Sequence, residues 1–439
     1  MKLHGLLIAA VVLAILGGGV YWSEHRKPTA DTSVAADTPP KILSIPEDQF
    51  KEIRLAKKGA DPTVIAKIAN RWEIVQPKPM PADQDAVSSI VTALASLNAD
   101  RLIEDKPSGL ESFGLTAPSE EIDITKKDGK VNKLLLGADS PVGSGVYAKL
   151  EGDPRVFTIP TYSKSSLDKT SKDLRDKRLL TFNSDKLTRV DLQNGQSKRG
   201  TIEFGKNNQN EWQILKPKPL RADGMQVDEL VRKLKDAKMD LSAPEADLQK
   251  VDKAFASGAK VGSATLTDSS GSQTLDVRKG KDKNYYAKSS VVEGAYKIPN
   301  DLGEALDKGV DDFRNKKLFD FGFSDPSKVQ IGGTVYQKSG EKWMVGTAQK
   351  DAPSVQNLID KLRDLTAIKF VDQGGGTDVF DATVTSNEGK RTERVVISKQ
   401  GNSYFGRREG EPGVYELDGK AVEELQKAAA AIKPFQKPK

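Results

Sequence analysis

The chain repeats itself, and the repeat restricts its possible folds more than any other feature. Trp72-Glu73-Ile74-Val75-Gln76-Pro77-Lys78-Pro79 returns 140 residues later as Trp212-Gln213-Ile214-Leu215-Lys216-Pro217-Lys218-Pro219, and a looser third copy opens at Trp343-Met344-Val345. An amphipathic helix is predicted after each Trp. Its apolar positions are Val87, Ile90, Val91, Leu94 and Leu97, then Val227, Leu230, Val231, Leu234 and Ala237, then Val355, Leu358, Ile359, Leu362 and Leu365. The spacing i, i+3, i+4, i+7, i+10 is the same three times and describes one buried stripe of α-helix. Asp83, Asp223 and Asp351 each stand four residues before the stripe. A carboxylate there accepts the free N–H groups of a first turn, so all three are predicted N-caps. Pro353 suits a first turn, where a missing N–H costs nothing.

The copies also agree further along. Tyr147-Ala148-Lys149 matches Tyr286-Ala287-Lys288 and, more loosely, Tyr404-Phe405-Gly406. Val156 to Pro160 matches Ala295 to Pro299 and then Val414 to Leu417, and Asp173 to Leu180 matches Asp312 to Phe319. Agreement at so many points in one order marks a triplication. Asp128-Gly129 between two alternating runs signals a hairpin, with counterparts at Ser269 to Ser272 and Asn387 to Lys390. Further strands are expected at Tyr147 and at Val156 to Ile159, a second helix from Ser163 towards Leu174, a hairpin over Gly137 to Gly145, and a loop tip at Gly374-Gly375-Gly376. Short connections favour antiparallel meanders with helices on one face, an α+β class. The expected organisation is a membrane anchor over 1–27, a flexible linker over 28–41, and modules over 42–181, 182–321 and 322–439, the last one divergent.

Gly5 to Trp22 carries no charge over 18 residues, about 27 Å of helix, near the lower limit of a membrane span. Tyr21 and Trp22 suit the interfacial end. A cleaved signal peptide is the alternative, but no small-x-small site follows the apolar run. The expected location is a bacterial inner membrane, crossed once, with the bulk of the chain on the periplasmic side. Pro28 to Lys41 then reads as a tether. The net charge of +6 shrinks when Lys2, Glu24, Arg26 and Lys27 are set aside, because 68 − 3 basic against 62 − 1 acidic residues leaves +4. That balance is too even for a nucleic-acid footprint.

Chemistry is bounded mainly by what is missing. The two histidines, His4 and His25, flank the apolar segment, and there is no cysteine. The modules therefore lack the side chains of Ser-His-Asp and Cys-His systems and of common zinc sites. Acid–base work would fall to carboxylates, Lys or Tyr. Candidate carboxylate pairs are Asp83/Asp85, Glu120/Glu121 and Asp311/Asp312, but in a chain with 62 acidic residues such neighbours arise by chance. Trp72, Trp212 and Trp343, with Tyr147, Tyr286 and Tyr404, could be sugar platforms. Their placement among alternating apolar residues favours core packing.

Trp-x-Ile with its capped helix, Ser112-Phe113-Gly114-Leu115-Thr116-Ala117-Pro118, Leu136-Gly137 and Tyr147-Ala148 resemble the bacterial family of domain of unknown function 4340. The resemblance covers about 42–320 well; the second copy degrades the Gly-Leu element and the third lacks it. It implies a membrane-anchored protein associated with ABC-type export or gliding-type transporters, and it carries no catalytic residues. The expected function is a non-enzymatic scaffold arm with transporter components as partner and the bilayer held through residues 5–22. A carbohydrate- or peptidoglycan-binding protein is the alternative, and a carboxylate-based hydrolase stands behind it. No catalytic, cofactor-binding or metal-ligating residue is assigned, no cofactor is expected, and the small-molecule ligand is unknown.

Overall fold

The structure, a computed structural model, describes residues 40–195, 200–242 and 248–436. The expected anchor at 5–22 lies outside the described residues. Among those described, no helix is long and apolar enough to cross a membrane.

The first sheet begins with β1 (Phe50–Lys57), β2 (Thr63–Ile68), β3 (Arg71–Gln76) and β4 (Met80–Pro81). Helix α1 (Gln84–Ala95) follows, then β5 (Arg101–Glu104), β6 (Glu120–Lys126), β7 (Val131–Asp139), β8 (Gly145–Leu150) and β9 (Val156–Pro160). Helices α2 (Thr161–Leu167) and α3 (Ser171–Leu174) end the module. The spatial order is β4-β3-β2-β1-β6-β7-β8-β9-β5. Two antiparallel meanders meet at the β1–β6 seam. Helix α1 carries the chain from the β4 edge to the β5 edge.

The second sheet has β10 (Arg189–Asn194), β11 (Thr201–Lys206), β12 (Trp212–Lys216) and β13 (Leu220–Arg221), then α4 (Gly224–Lys235) and α5 (Leu248–Ser257). It continues with β14 (Ala259–Asp268), β15 (Gly271–Lys279), β16 (Tyr285–Ser289), β17 (Ala295–Ile298) and α6 (Asn300–Leu306). The third has β18 (Lys328–Ile331), β19 (Thr334–Ser339), β20 (Lys342–Val345), β21 (Ala348–Lys350) and α7 (Ala352–Asp364). After these come β22 (Ala367–Val371), β23 (Thr377–Ser386), β24 (Arg391–Gln400), β25 (Ser403–Arg408), β26 (Val414–Leu417) and α8 (Gly419–Ala430). Both repeat the seam, at β10–β14 and β18–β23. The class is α+β. One compact unit ends at Asp176, and a second, starting at Lys177, holds the other two sheets.

All the predicted stripe residues are buried. Their helices end at Ala95, Lys235 and Asp364, so Leu97, Ala237 and Leu365 fall past the last turn. Asp83, Asp223 and Asp351 are the caps: their carboxylates accept from Ala86, Gln226 and Ser354 N–H at 3.0–3.3 Å. The backbone of each cap does a second job. Asp83 N–H donates to Leu174 O at 2.8 Å, Asp223 N–H to Phe313 O at 2.7 Å and Asp351 N–H to Lys433 O at 2.9 Å. The outgoing segment donates back, from Asp176 to Pro81 O, Asn315 to Arg221 O and Phe435 to Gln349 O. Each module is thus closed by a strap laid against the residues before its helix.

The first two straps also open the modules that follow. Arg178 and Lys317 bridge Lys238 and Thr366, just beyond the stripe, as Lys41 bridges Asn98 in the first module. Leu179 and Leu180 are buried in the core of the second sheet, and Leu318 and Phe319 in that of the third. Residues that the repeat pattern assigns to the ends of the first two copies therefore pack in the copies that follow.

Four expectations are corrected. The helix expected from Ser163 to Leu174 is two, because Thr170 starts a fresh capping box with Asp173. Helices do not lie on one face only. Tyr285 belongs to the main core while the adjacent Tyr286 packs with Phe255 of α5, and neighbouring strand residues point to opposite faces. The third tyrosine is out of register: Val146 faces Ile159, Tyr285 faces Ile298 and Tyr404 faces Leu417. Tyr404 therefore corresponds to Tyr285, and Phe405 to Tyr147 and Tyr286. Finally, 374–376 is no free tip, since a Cβ on Gly374 would meet the Phe405 ring at 2.6 Å.

The Phe113-Gly114-Leu115 and Leu136-Gly137 signatures explain each other. Phe113 covers Tyr147 edge-on, with centroids 5.0 Å apart. Gly114 has φ +66°, and a Cβ on Gly137 would stand 2.1 Å from the Phe113 carbonyl oxygen. The segment between β5 and β6 can cover the outer face only because both positions lack a side chain. Gly137→Ala is expected to destabilise the first unit by about 1–3 kcal/mol. Gly333→Ala, where a Cβ meets nothing within 4 Å, should stay within about 0.5 kcal/mol of the parent in urea denaturation.

Candidate functional site

The carboxylate pairs singled out in the sequence are largely engaged in structure. Asp83 caps α1, and Asp85 lies exposed in its first turn. Asp312 accepts Gly309 N–H at 2.7 Å, and Asp311 holds Arg314 at 3.0 Å. Glu120 and Glu121 are neighbours on β6 and face opposite sides of the sheet: Glu120 is 3% exposed, while Glu121 lies 3.8 Å from Lys133.

Trp72, Trp212 and Trp343 are 8%, 6% and 3% exposed, so their rings are core, not open platforms. Each lies under the ammonium of its cross-strand partner, Lys67, Lys206 or Lys338, at 4.9–5.9 Å from the ring centroid. A cation over an indole face at a surface site contributes about 0.5–1 kcal/mol. The Trp212 indole N–H also donates to Asp228 of α4 at 2.7 Å. Tyr404 and Tyr286 are buried, and the Tyr286 hydroxyl donates to Asp282 at 2.6 Å.

The most unusual chemistry lies where the second and third modules meet, inside the second unit. Arg408 of β25 contacts Glu393 of β24 at 2.9 Å and Glu411 at 2.7 Å. Arg221 of β13 reaches the same Glu411 carboxylate at 2.6 Å and Asp320 at 3.5 Å. The Tyr415 hydroxyl donates to Glu411 at 2.5 Å, and Asp320 N–H donates to Glu393 at 3.0 Å. Arg408 and Arg221 also donate to the strap carbonyls of Leu318 and Lys317. Burial works against ionisation of Glu411, but Arg221, Arg408 and the Tyr415 hydroxyl hold its carboxyl below the usual range. Burial pushes the Tyr415 phenol up. Beside the network lies an open cleft of ≈ 490 Å³ whose lining includes Trp212, Gly224, Met225, Lys316 and Arg391.

No motif announces this network in the sequence. Its signal is disagreement between copies. By strand register Gln273 and Ser289 stand where the third copy has Glu393 and Arg408. The neutral pair makes the same strap contacts: Thr181 N–H to Gln273 at 2.8 Å, and Ser289 to Leu179 O. Arg221 replaces Pro81, and Glu411 replaces Val292.

A second buried carboxyl lies in the first unit. Glu120 faces the inner side of the sheet near Asp168, which holds Lys57 at 2.8 Å, and near Lys164, which reaches Asp139 at 3.2 Å. Burial, with the Asp168 carboxylate, pushes Glu120 up to about 7 against the pull of Lys57 and Lys164.

Two predictions follow from these charges. Arg408→Met leaves Glu393 and Glu411 short of a buried partner and should cost about 3–5 kcal/mol in chemical denaturation of the second unit. Glu393→Leu in the same chain should recover much of that loss. The Glu411 contribution is full above its ordinary value of 4.5 and is lost as pH falls through the lower folded value. Glu120 runs the other way. Its folded value of about 7 lies above the ordinary 4.5, so its stabilisation is full below pH 4.5 and is lost as pH rises through 7. At roughly 1.4 kcal/mol per unit, Glu120→Gln should stabilise the first unit by up to about 3 kcal/mol at pH 8 and by nothing at pH 4.

The sequence profile of a family described as Domain of unknown function (DUF4340) matches residues 72–250 and again residues 212–382. Each match starts at a repeat Trp, and together they span more than half of the 439 residues. No curated protein and no solved structure matches the chain. The chain belongs to the DUF4340 family, whose match runs from the tryptophan strand of one module into the next.

Proposed function

We propose that this protein is a non-catalytic contact arm: modules carried on an N-terminal anchor at residues 5–22, on the periplasmic side of a bacterial inner membrane, with an ABC-type transporter component as partner. The observation that carries the reading is the use made of the repeated residues. The Trp strands, Asp caps, glycine contacts and straps all serve to build and join modules. The Arg221–Glu411–Arg408–Glu393 network adds a lock between the second and third modules. Residues spent on building modules and on locking the second to the third suit holding a partner better than turning over a substrate.

Crosslinking in intact cells, followed by solubilisation and mass spectrometry, tests this. A transporter permease or ATPase subunit should be recovered reproducibly, and should be lost when residues 28–439 are removed. Recovery of the protein alone, or with cell-wall fragments, would overturn the reading.

A further inference from the structure

In the first module the edge of β3 is completed by a side chain. Ile68 and Arg71 close a tight turn, and the next pair is Lys67 with Trp72. Alternation along an antiparallel ladder turns the Trp72 N–H and C=O away from β2. Strand β4 ends before reaching them. Gln84 of α1 fills the gap: its Oε1 accepts Trp72 N–H at 3.0 Å, and its Nε2 donates to Trp72 O and to Ala82 O at 2.9 Å. One carboxamide stands in for one missing rung.

The third module fills the same place with backbone. Its β21 is one residue longer, and Lys350 pairs directly with Trp343. The second module has neither device. Asn207 N–H donates to Glu211 O at 3.0 Å, so the next pair, Lys206 with Trp212, again faces its Trp amide outward. Strand β13 pairs only with Gln213 and Ile214. The position of Gln84 is Gly224, where an added Cβ would meet nothing within 4 Å. Among the described residues, no hydrogen bond from the Trp212 N–H replaces the one Gln84 makes. Trp212 and Gly224 both line the ≈ 490 Å³ cleft, with Met225, 81% exposed, beside them.

We infer that the notch between Trp212 and Gly224 receives a Gln or Asn side-chain carboxamide from an extended segment of a partner protein. The first module shows the chemistry that fits: an acceptor for the Trp N–H and a donor for the Trp carbonyl, on one planar group. A side chain suits the gap better than a strand, because β13 occupies the flanking rungs and α4 starts at Gly224. The Trp212–Asp228 bond fixes β12 to α4, so the notch is held open in advance. The inference rests on the contact-arm reading for its partner and names where that partner would seat.

The test uses the full chain labelled with 15N-tryptophan, which reports Trp22, Trp72, Trp212 and Trp343. In the free protein the Trp212 amide should exchange with solvent roughly tenfold or more faster than those of Trp72 and Trp343. N-acetyl-glutamine methylamide should shift the Trp212 amide resonance saturably, and its glutamate analogue should do so less. Gly224→Gln should protect the Trp212 amide and abolish the shift. Gln84→Gly should create the same response at Trp72. A Trp212 amide as protected as the other two, or a shift that survives Gly224→Gln, overturns the inference. In intact cells, crosslinks that persist unchanged in Gly224→Gln overturn the notch and leave the contact arm standing. Absence of any crosslinked protein partner from the wild type ends both.

Discussion

The pairing of each strap with the residues around its N-cap underlies the rest of the architecture. The cap aspartate satisfies a first helical turn with its carboxylate and receives the outgoing chain with its backbone. One short segment therefore sets where the helix begins, how it lies on the sheet and where the chain leaves. Because the next stretch of the same strap bridges the residue after the helix in the following copy, modules of this kind are built in series. A backbone ladder needs no particular side chains, so the device survives in the divergent third copy, where Lys433 takes the place of Leu174 and Phe313.

On this shared frame the modules differ where they cover themselves. The outer face at Tyr147 is covered by Phe113, at Tyr286 by Phe255 from a helix, and at Phe405 by a glycine loop pinned by Arg407. Three local solutions satisfy one requirement, that an apolar ring on a sheet surface be kept from water. The inner end of the sheet varies more in kind. Gln273 and Ser289 hold their strap with neutral bonds, whereas Glu393 and Arg408 hold theirs with buried charge. Buried ion pairs are weak stabilisers relative to apolar packing, since desolvation offsets most of the attraction. Arg221 of the second module and Glu411 of the third meet directly, at 2.6 Å.

Much of this was legible in the sequence. The stripe residues, the three caps, the tryptophans as core and the hairpin at Asp128-Gly129 follow from periodicity and from the chemistry of single residues. Two of the errors share a cause. The one-residue slip at Tyr404 and the second covered face depend on register, and register is set by cross-strand partners distant in sequence. The break at Asp168 to Thr170 is local, because Thr170 caps a new turn with Asp173. The candidate site was less legible still. Arg221, Glu393, Arg408 and Glu411 are ordinary charged residues in an evenly charged chain, and only their convergence distinguishes them.

The sequence by itself determined that there are three copies, where their helices start, which faces are apolar, and that histidine and cysteine chemistry is absent from the modules. These are local or periodic properties, and a single chain reading carries them. Only the tertiary structure decided that the chain running on from the first two straps packs with the copy that follows, that Gly114 and Gly137 are required by close approach, and that, among the described residues, the second module lacks the rung its sisters complete. Those depend on which distant atoms come within bonding distance, and no period in the sequence encodes that.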